Sequence, residues 1–398
     1  MFRLTSTMVV VSMAAGLAAA PASAQSPPPG AETVGAAAPA APAAPAPPAP
    51  AEAPPPSDIA AFFKSTEIGG MIDAHFSWYD TKPIGDAPYR NFDTRHNQFR
   101  VSLAQFWLAK APAEDSRAGF KVKLSVGPAT TMVQSLEPGG SPAVLQNIEE
   151  GFVSYLAPLG KGLQFDVGKF VTQHGAEVIE AKDDWNYSRS LLFALAIPYY
   201  HSGVRATYSP HAKVTLMGTI VNGWNNVVEN NSGKTFGAQL AYKPTASLSL
   251  VQNYMTGPEQ TANNDAWRQI SDTIATLTVN PKLSLMANYD YGTDTIDGIR
   301  AHWQGVAGYA RFQANKWIAL SPRFEWYEDP QGFTTGTVQT LKEVTGTFEV
   351  KPADSFIWRL EYRTDLSNQA VFKTAGGGLK KSQTSVGIGV IYWFSYKG

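Results

Sequence analysis

Cysteine is absent from the 398 residues of this chain. Exported proteins with small cores usually depend on disulfides, so the absence excludes a disulfide-stabilised secreted domain. A protein without such crosslinks must draw its stability from packing and from its backbone hydrogen bonds. A sheet closed on itself satisfies every backbone group without an edge, and such a sheet needs no disulfide.

An excess of charge is also missing, because Lys and Arg total 32 while Asp and Glu total 33. Nucleic-acid-binding proteins carry a basic surplus or patch, so this near balance argues against a nucleic-acid partner. After residue 24 the chain has no run of about twenty apolar residues, the length that a membrane-spanning helix needs. If the chain crosses a membrane, it must do so with strands.

The patterns of common catalytic sites are missing as well. The chain contains neither a Gly-x-Ser-x-Gly elbow nor a His-Glu-x-x-His pair, which argues against the enzymes that use them. His201 and Ser202, next to Tyr199 and Tyr200, resemble a membrane phospholipase site. Adjacent strand residues point to opposite faces, which disfavours a direct His-Ser dyad. We therefore predict no enzymatic activity and keep a phospholipase as the catalytic alternative.

Candidate metal ligands occur in one place only. Asp290, Asp294 and Asp297 could gather around calcium, which prefers oxygen ligands. Their spacing does not match that of an EF-hand loop, and solvated loop carboxylates explain them better. We predict neither a metal nor another cofactor.

An export signal begins the chain. Arg3 precedes a mostly apolar, small-residue stretch from Met8 to Ala20, and Ala22-Ser23-Ala24 resembles a cleavage site. This arrangement predicts a signal peptide over residues 1–24 and places the mature protein outside the cytoplasm.

An Ala- and Pro-rich segment, residues 25–57, follows the signal. Such a composition cannot bury enough apolar surface to fold, so we expect a disordered periplasmic linker. Residues 58–67 would form a short lead-in segment, and residues 68–398 would form the folded region.

Bulky apolar residues alternate with small or polar ones through the folded region. Near the C-terminus, Val386, Ile388 and Val390 point to one face, and Ser385 and Gly387 point to the other. Charged residues in such segments fall on the second face only. A charge facing lipid at mid-bilayer costs about 2 to 4 kcal/mol, whereas a charge in an aqueous lumen stays hydrated. The pattern predicts strands with lipid on one side and a lumen on the other.

Short turns and long polar stretches separate these segments in alternation. The long stretches lie near residues 80–97, 127–147, 171–199, 222–234, 256–268, 292–301, 328–338 and 365–381. Proline cannot donate to a sheet ladder, so we expect it at turns and not inside strands. We predict an all-β fold, a transmembrane antiparallel barrel of about sixteen strands, with 14 or 18 also compatible. Its turns would be periplasmic and its long loops extracellular.

Charges of both signs are expected to face the lumen. They are Arg100, Lys121, Lys123, Arg205, Arg311, Arg323, Arg359, Arg363, Asp166, Glu325, Glu343 and Glu361. Such a mixture does not reveal ion selectivity.

Aromatic residues collect at both ends of the predicted lipid-facing rows. Those chosen as members of two interfacial girdles are Trp78, Trp107, Tyr208, Tyr242, Tyr254, Tyr289, Trp326 and Phe394. General enrichment of aromatics in strands would scatter them along the segments instead.

The third long stretch, residues 171–199 and hereafter the third loop, combines charges with an apolar run that an exposed loop should not carry. The run extends from Leu191 to Ile197, and the charges are Glu177, Glu180, Asp183, Asp184 and Arg189. Because a barrel of this size has an aqueous lumen, we predict that the loop folds inward, packs its apolar run on the wall and leaves its charges in the water path. The alternative is a lid on the rim or a subunit contact.

A family resemblance is concentrated in and around this loop. Gly168-Lys169-Phe170, Gly175 to Glu180, Trp185 to Phe193 and Ile197 to Arg205 are similar to the signature region of the putative beta-barrel porin-2 family, also called OmpL-like. The resemblance implies an outer-membrane, porin-like barrel. It also implies outer-membrane lipids and the barrel assembly machinery as partners, the latter through a terminal aromatic residue. This chain departs from that pattern, because Ser-Tyr-Lys-Gly follows Phe394, and either Tyr396 serves instead or the last residues trail. A homotrimer follows by analogy alone.

These observations together predict an outer-membrane porin of a Gram-negative cell, a passive diffusion channel for small hydrophilic solutes or ions. Two alternatives stay open at this point: the phospholipase-like enzyme, and a secreted, soluble β-sandwich that binds carbohydrate through surface aromatics.

Overall fold

A single closed barrel of sixteen antiparallel strands forms the fold. The structure, a computed structural model, describes residues 64–137, 146–296 and 298–397. The predicted fold class and strand number are confirmed, and the sandwich alternative is wrong because the first and last strands pair. The predicted signal peptide, linker and most of the lead-in segment lie outside the described residues.

The strands run in chain order around the barrel. They are β1 (Glu67–Tyr79), β2 (Gln98–Lys110), β3 (Ala118–Val126), β4 (Ile148–Ala157), β5 (Leu163–Val171), β6 (Tyr200–His211), β7 (Val214–Val221), β8 (Thr235–Tyr242), β9 (Leu248–Gln260), β10 (Asn263–Asn280), β11 (Leu283–Ile296), β12 (Ile299–Gln313), β13 (Ile318–Asp329), β14 (Gln339–Ala353), β15 (Phe356–Ser367) and β18 (Ser382–Lys397). A two-stranded hairpin, β16 (Phe372–Lys373) with β17 (Leu379–Lys380), lies in the last long loop.

Closure occurs between β1 and β18, whose register runs from Glu67 opposite Lys397 to Tyr79 opposite Ser385. Each remaining barrel strand pairs with its chain neighbours, because short connections join adjacent antiparallel strands. Two short helices, α1 (Pro128–Val133) and α2 (Leu191–Leu195), belong to long loops. Within the described ranges, none of the helices has the length and apolar character needed to cross a membrane.

The two faces of the wall differ as the alternation predicts. On β18, Val386, Ile388 and Tyr392 are exposed on the outer face, whereas Gln383 and Ser385 are buried on the inner face. The same contrast recurs around the barrel, with exposed apolar side chains outside and buried polar side chains inside. An apolar outer surface of this kind suits lipid and not water.

A bulge exchanges the two faces of β2. The register between β1 and β2 shifts where the successive residues Ser102 and Leu103 are both buried. A bulge sets two residues against one, which reverses the alternation beyond it. Trp107 therefore lies on the inner face, where its indole nitrogen donates to Glu67 at 3.0 Å. The prediction that Trp107 belongs to a lipid-facing girdle is wrong.

Two of the predicted long loops are strands that continue past the expected membrane boundary. Residues 256–268 belong mostly to β9 and β10, which leave only residues 261–262 between them. Most of residues 292–301 likewise belongs to β11 and β12. The ladder continues there because backbone hydrogen bonds do not require apolar side chains, so polar composition alone misplaced the ends of these strands.

Proline is not confined to the turns. Pro322 lies inside β13, paired with Gly346 of β14. The register of β13 with β12 is interrupted between Arg323 and Leu320, where neither Pro322 nor Ser321 has a partner on β12. Lacking an amide hydrogen, Pro322 is tolerated where the ladder on one side is interrupted.

Candidate functional site: the third loop inside the barrel

The third loop lies within the barrel and contacts the wall on several sides. It leaves β5 after Val171 and rejoins the wall at Tyr200. Its first part reaches the opposite wall, where the Gly175 amide donates to Asp272 on β10 at 2.8 Å. The next amide, that of Ala176, donates to Asn288 on β11 at 3.1 Å. The loop therefore folds inward, and the rim-lid alternative does not describe it.

The tip of the loop reaches the closure of the barrel. The Tyr187 hydroxyl donates to Asp73 on β1 at 2.8 Å, and the Tyr187 ring packs on Gly389 of β18. A Cβ at Gly389 would lie 2.3 Å from the ring, so only glycine permits this approach. Burial and the neighbouring Asp73 raise the pKa of Tyr187, which keeps the hydroxyl protonated as a donor.

Glu180 anchors the loop to β2 and β3. Its carboxylate contacts the Lys123 ammonium, and the Gln105 amide donates to it at 2.9 Å. Burial alone would raise the pKa of Glu180, but Lys123 and these hydrogen bonds outweigh burial and lower the pKa to about 2. Glu180 is thus a stable anion at neutral pH.

Three arginines of the wall bind the backbone of the loop. Arg359 donates to the carbonyl oxygens of Ala181 at 2.6 Å and Asn186 at 2.9 Å. Arg323 donates to the Ser188 carbonyl at 2.6 Å, and Arg363 also donates to a loop carbonyl. Guanidinium groups suit this task because each offers five donors in a rigid plane. The wall thereby satisfies loop carbonyls that would otherwise be buried without partners.

The charged side chains of the loop also bind the wall and the loop backbone. Glu177 accepts from Arg323 at 2.8 Å and from the Ser190 amide at 2.6 Å. Arg189 donates to the carbonyl oxygens of Val178 at 2.8 Å and Ile179 at 2.7 Å.

One loop carboxylate differs from the others in exposure. Asp184 is buried beside Arg189, their charged atoms 3.0 Å apart, whereas Asp183 is exposed. The expectation that the loop charges stay in the water path is therefore wrong for Glu177, Glu180, Asp184 and Arg189. The network of wall and loop groups removes them from water.

The apolar run forms a hydrophobic core inside the barrel. It includes α2, which Ser190 caps by accepting from the Phe193 amide at 3.0 Å. Leu191, Leu192 and Phe193 are all buried. Phe193 packs edge-to-face on Phe92 of the first long loop, with ring centroids 5.9 Å apart. The run is buried here because the loop backbone is already bound to the wall on both sides of it.

All twelve predicted lumen charges lie on the inner face, but they differ in exposure. The half-exposed ones are Arg100, Lys121, Arg205 and Arg311, and the buried ones are Lys123, Arg323, Arg359, Arg363, Asp166, Glu325, Glu343 and Glu361. Arg323 and Glu343 join neighbouring strands at 3.0 Å. Such pairs hold the wall and the loop together and have little contact with water.

The remaining girdle candidates lie on the outer face. Trp78, Tyr254, Tyr289 and Trp326 are nearer the long loops, and Tyr208, Tyr242 and Phe394 are nearer the turns.

The candidate catalytic pair does not face a common space. His201 is buried on the inner face between the Thr172 hydroxyl and the Gly223 carbonyl, each 3.0 Å from a ring nitrogen. Ser202 follows it and points to the other side of the wall. The two side chains therefore diverge, as the strand geometry predicts.

The candidate calcium ligands are not solvated loop carboxylates. Asp290 and Asp294 are strand residues of β11 and are fully buried, and Asp294 pairs with Arg268 at 2.8 Å. Asp297 lies outside the described residues. Across the described ranges, no three His, Cys, Asp or Glu side chains are grouped as metal ligands.

Several inner-face residues escaped the sequence analysis. Arg90 of the first long loop is buried and pairs with Asp93 at 2.7 Å and with Asp365 at 3.0 Å. Asn186 of the third loop donates across the barrel to the Ser321 carbonyl at 2.9 Å. The sequence does contain a signal that could have identified Arg90 as buried. Arg90 lies two residues before an aromatic residue, Phe92, within a polar loop.

A cavity remains on the turn side of the third loop. Its volume is about 390 Å³, and Trp107, Lys121, Glu150, Lys182 and Asp183 are among its lining residues. Water and small polar solutes can enter a space with this lining. On the side that faces β13 to β15, in contrast, the loop is hydrogen-bonded directly to the wall.

Solved barrels of similar architecture include an anion-selective porin from Comamonas acidovorans, with a TM-score of 0.57, 11% identity, and coverage of 83% of this chain and 99% of that chain. The trimer form of OmpT from Vibrio cholerae has a TM-score of 0.55 at 11% identity, covering 83% and 99%. The outer membrane channel DcaP of Acinetobacter baumannii has a TM-score of 0.53 at 10% identity, covering 83% and 97%. At such identities the likeness shows a shared fold and no shared selectivity.

No curated protein matches this chain. Residues 65–394 match the sequence model of the family described as "Putative beta-barrel porin-2, OmpL-like". The match extends from the start of β1 to Phe394 in β18 and includes the third loop. The chain therefore belongs to the putative beta-barrel porin-2, OmpL-like family, and it is an outer-membrane porin.

Proposed function

We propose that this porin is a passive diffusion channel for small hydrophilic solutes or ions, and that the third loop sets its width. The observation that carries the proposal is the binding of the loop to the inner wall from Gly175, which donates to Asp272, to Leu191, which donates to Glu325. A loop fixed in this way divides the lumen and leaves an aqueous passage beside it. Transport then depends on pore width and electrostatics, without a cofactor.

The proposal includes the absence of catalysis. The side chains of the pair considered from the sequence, His201 and Ser202, point to opposite faces of a strand. A lipase assay on refolded protein and on Ser202→Ala tests this part. Activity that disappears with Ser202→Ala would contradict it.

Export and assembly form a second part of the proposal. Residues 1–24 would direct export, and residues 25–57 would span periplasmic space as a linker. The barrel assembly machinery would recognise the aromatic C-terminal strand, including Phe394. OmpT of Vibrio cholerae occurs in a trimer form, and by analogy we propose a homotrimer embedded in outer-membrane lipids.

Planar-bilayer recording tests the channel and its constriction together. Deleting residues 180–190 removes the anchors at Glu180 and Tyr187, so single-channel conductance should increase several-fold. Heat-modifiable gel migration must first establish that the deletion variant still forms a barrel. A folded variant with unchanged conductance would show that the loop does not limit the pore.

Substitution of single anchors provides a milder version of the same test. Asn186→Ala removes the hydrogen bonds to the Ser321 carbonyl at 2.9 Å and to Thr347 at 2.7 Å without shortening the chain. We expect a smaller increase in conductance together with larger current fluctuations.

A further inference from the structure

We propose that the passage selects small anions over cations, although its lumen charges balance. This inference rests on the proposed channel function and adds its substrate class. It is based on which member of each ion pair faces the water.

The cation is the more exposed member in three pairs of the inner wall. The exposed fractions of the side chains are 32% for Lys121 and 4% for Glu150, and 17% for Arg205 and 2% for Asp166. For Arg311 and Glu349 they are 21% and 3%. The carboxylate thus lies against the wall, and the cation lies between it and the lumen.

The extracellular half of the lumen repeats this arrangement. The Arg268 side chain is 19% exposed, and its partner Asp294 is fully buried. The guanidinium carbon lies 5.0 Å from the Trp224 ring centre and 5.4 Å from that of Phe333. Arg205 is held similarly, 4.6 Å from the Phe170 ring centre. Cation–π contacts fix both groups without consuming their hydrogen-bond donors.

Carboxylates with comparable exposure are scarce. On the inner faces of the described strands, every Asp and Glu except Glu67 is buried. On the third loop the order is reversed, because Asp183 is 55% exposed and its partner Lys182, 2.6 Å away, is 19% exposed. In these wall pairs, a solute in the passage therefore meets the cation before the carboxylate.

The four cations are spread along the barrel axis. Arg268 lies toward the extracellular ends of the strands, Arg205 near the middle of β6, and Lys121 and Arg311 toward the periplasmic turns. Each retains N–H donors beyond those bound to its carboxylate, because Lys has three and Arg has five. Several weak sites in series let an ion enter and leave, as conduction requires.

The test is the chloride-to-potassium permeability ratio of the full-length protein, obtained from reversal potentials in a KCl gradient. We expect a ratio of at least about 5, because one unit charge at roughly 4 Å in water-like solvent changes the local concentration of either ion by about that factor. Higher ionic strength should reduce it through screening.

Lys121→Gln and Arg311→Gln are the informative variants. Their carboxylate partners keep second cations, Lys123 at 3.9 Å from Glu150 and Arg359 at 2.7 Å from Glu349, so the wall should stay folded. The ratio should fall toward 1 in the double variant. Lys282→Gln, at an exposed turn between β10 and β11, removes the same charge outside the passage and should leave the ratio unchanged.

The outcomes separate the two proposals. If the folded wild-type protein forms no channels, the proposed function fails. If it conducts but prefers potassium or shows no preference, the channel stands and the anion inference is overturned. An anion preference that the Lys121 and Arg311 variants leave intact would also overturn the inference, because these side chains would not be its source.

Discussion

The Tyr187 hydroxyl, at the tip of the third loop, donates a hydrogen bond to the Asp73 carboxylate of β1, 2.8 Å away. The two residues are 114 positions apart in the chain, and both are buried. A contact of this kind joins the loop to the strand at which the barrel closes. It links the position of the loop to the stability of the wall.

Tyr187→Phe should destabilise the barrel by about 1 to 3 kcal/mol, because Asp73 would stay buried without this donor. The midpoint of thermal unfolding in detergent, followed by the heat-dependent gel shift, measures the effect. Tyr242→Phe removes the same hydroxyl from an exposed position on the outer face. Equal losses in the two variants would show that the bond to Asp73 contributes nothing specific.

Gly389→Ala should displace the loop tip, because a Cβ there would lie 2.3 Å from the Tyr187 ring. Overpacking of this kind typically costs about 1 to 3 kcal/mol. Both the thermal midpoint and the single-channel conductance should change. Gly346→Ala is the matched control, since no heavy atom lies within 4 Å of a Cβ at that position. The idea fails if both variants behave as wild type.

Acid should release the loop from β2 and β3 only at very low pH. The pKa of Glu180 is lowered from 4.5 to about 2, so its stabilising effect is complete above about pH 4.5 and is lost as pH falls through about 2. We expect this anchor to hold the loop unchanged between pH 5 and 8. Comparison of wild type with Glu180→Gln across pH 2 to 8 measures its contribution. A difference between the two proteins that already disappears near pH 6 would contradict the assignment.

Adjacent positions on β8 should respond oppositely to a new charge. Leu240 is exposed on the outer face, and Gln239 is half-buried on the inner face. Leu240→Arg should cost about 2 to 4 kcal/mol if its side chain meets the middle of the bilayer. Gln239→Arg should fold with a much smaller loss, because Gln239 is only half-buried and its neighbours on the inner face, such as Asn253, are polar. Refolding yields into lipid vesicles compare them, and similar yields would argue against the assigned faces.

Alternation along the chain was enough to predict the barrel, its strand number and the faces of most strands. These properties depend on neighbours two residues apart, which are visible in a linear sequence. The prediction failed at β2 because a single extra residue, near Ser102, reverses the faces without altering the composition. It also failed at the ends of β9 to β12, where polar strands extend beyond the apolar band.

The inward course of the third loop could also be predicted from the sequence, through the apolar run from Leu191 to Ile197. The burial of its charged side chains could not be predicted. Arg323 and Glu177 are 146 positions apart and form a buried contact at 2.8 Å. No local sequence pattern pairs such distant residues. The sequence therefore predicted hydrated charges in the lumen, whereas in the structure many of these charges are buried in contacts between the wall and the third loop.

The alternation of apolar with polar or small residues thus determines that this chain forms a barrel with a lipid-facing outer surface. The sequence can show this because the face of each strand side chain follows from its immediate neighbours. Which charges are buried and which meet solutes depends on contacts between distant segments. In a count of formal charges from the sequence, Lys121 and Glu150 cancel each other. Folding places Glu150 against the wall and Lys121 toward the lumen, and this difference in exposure gives the passage its proposed sign.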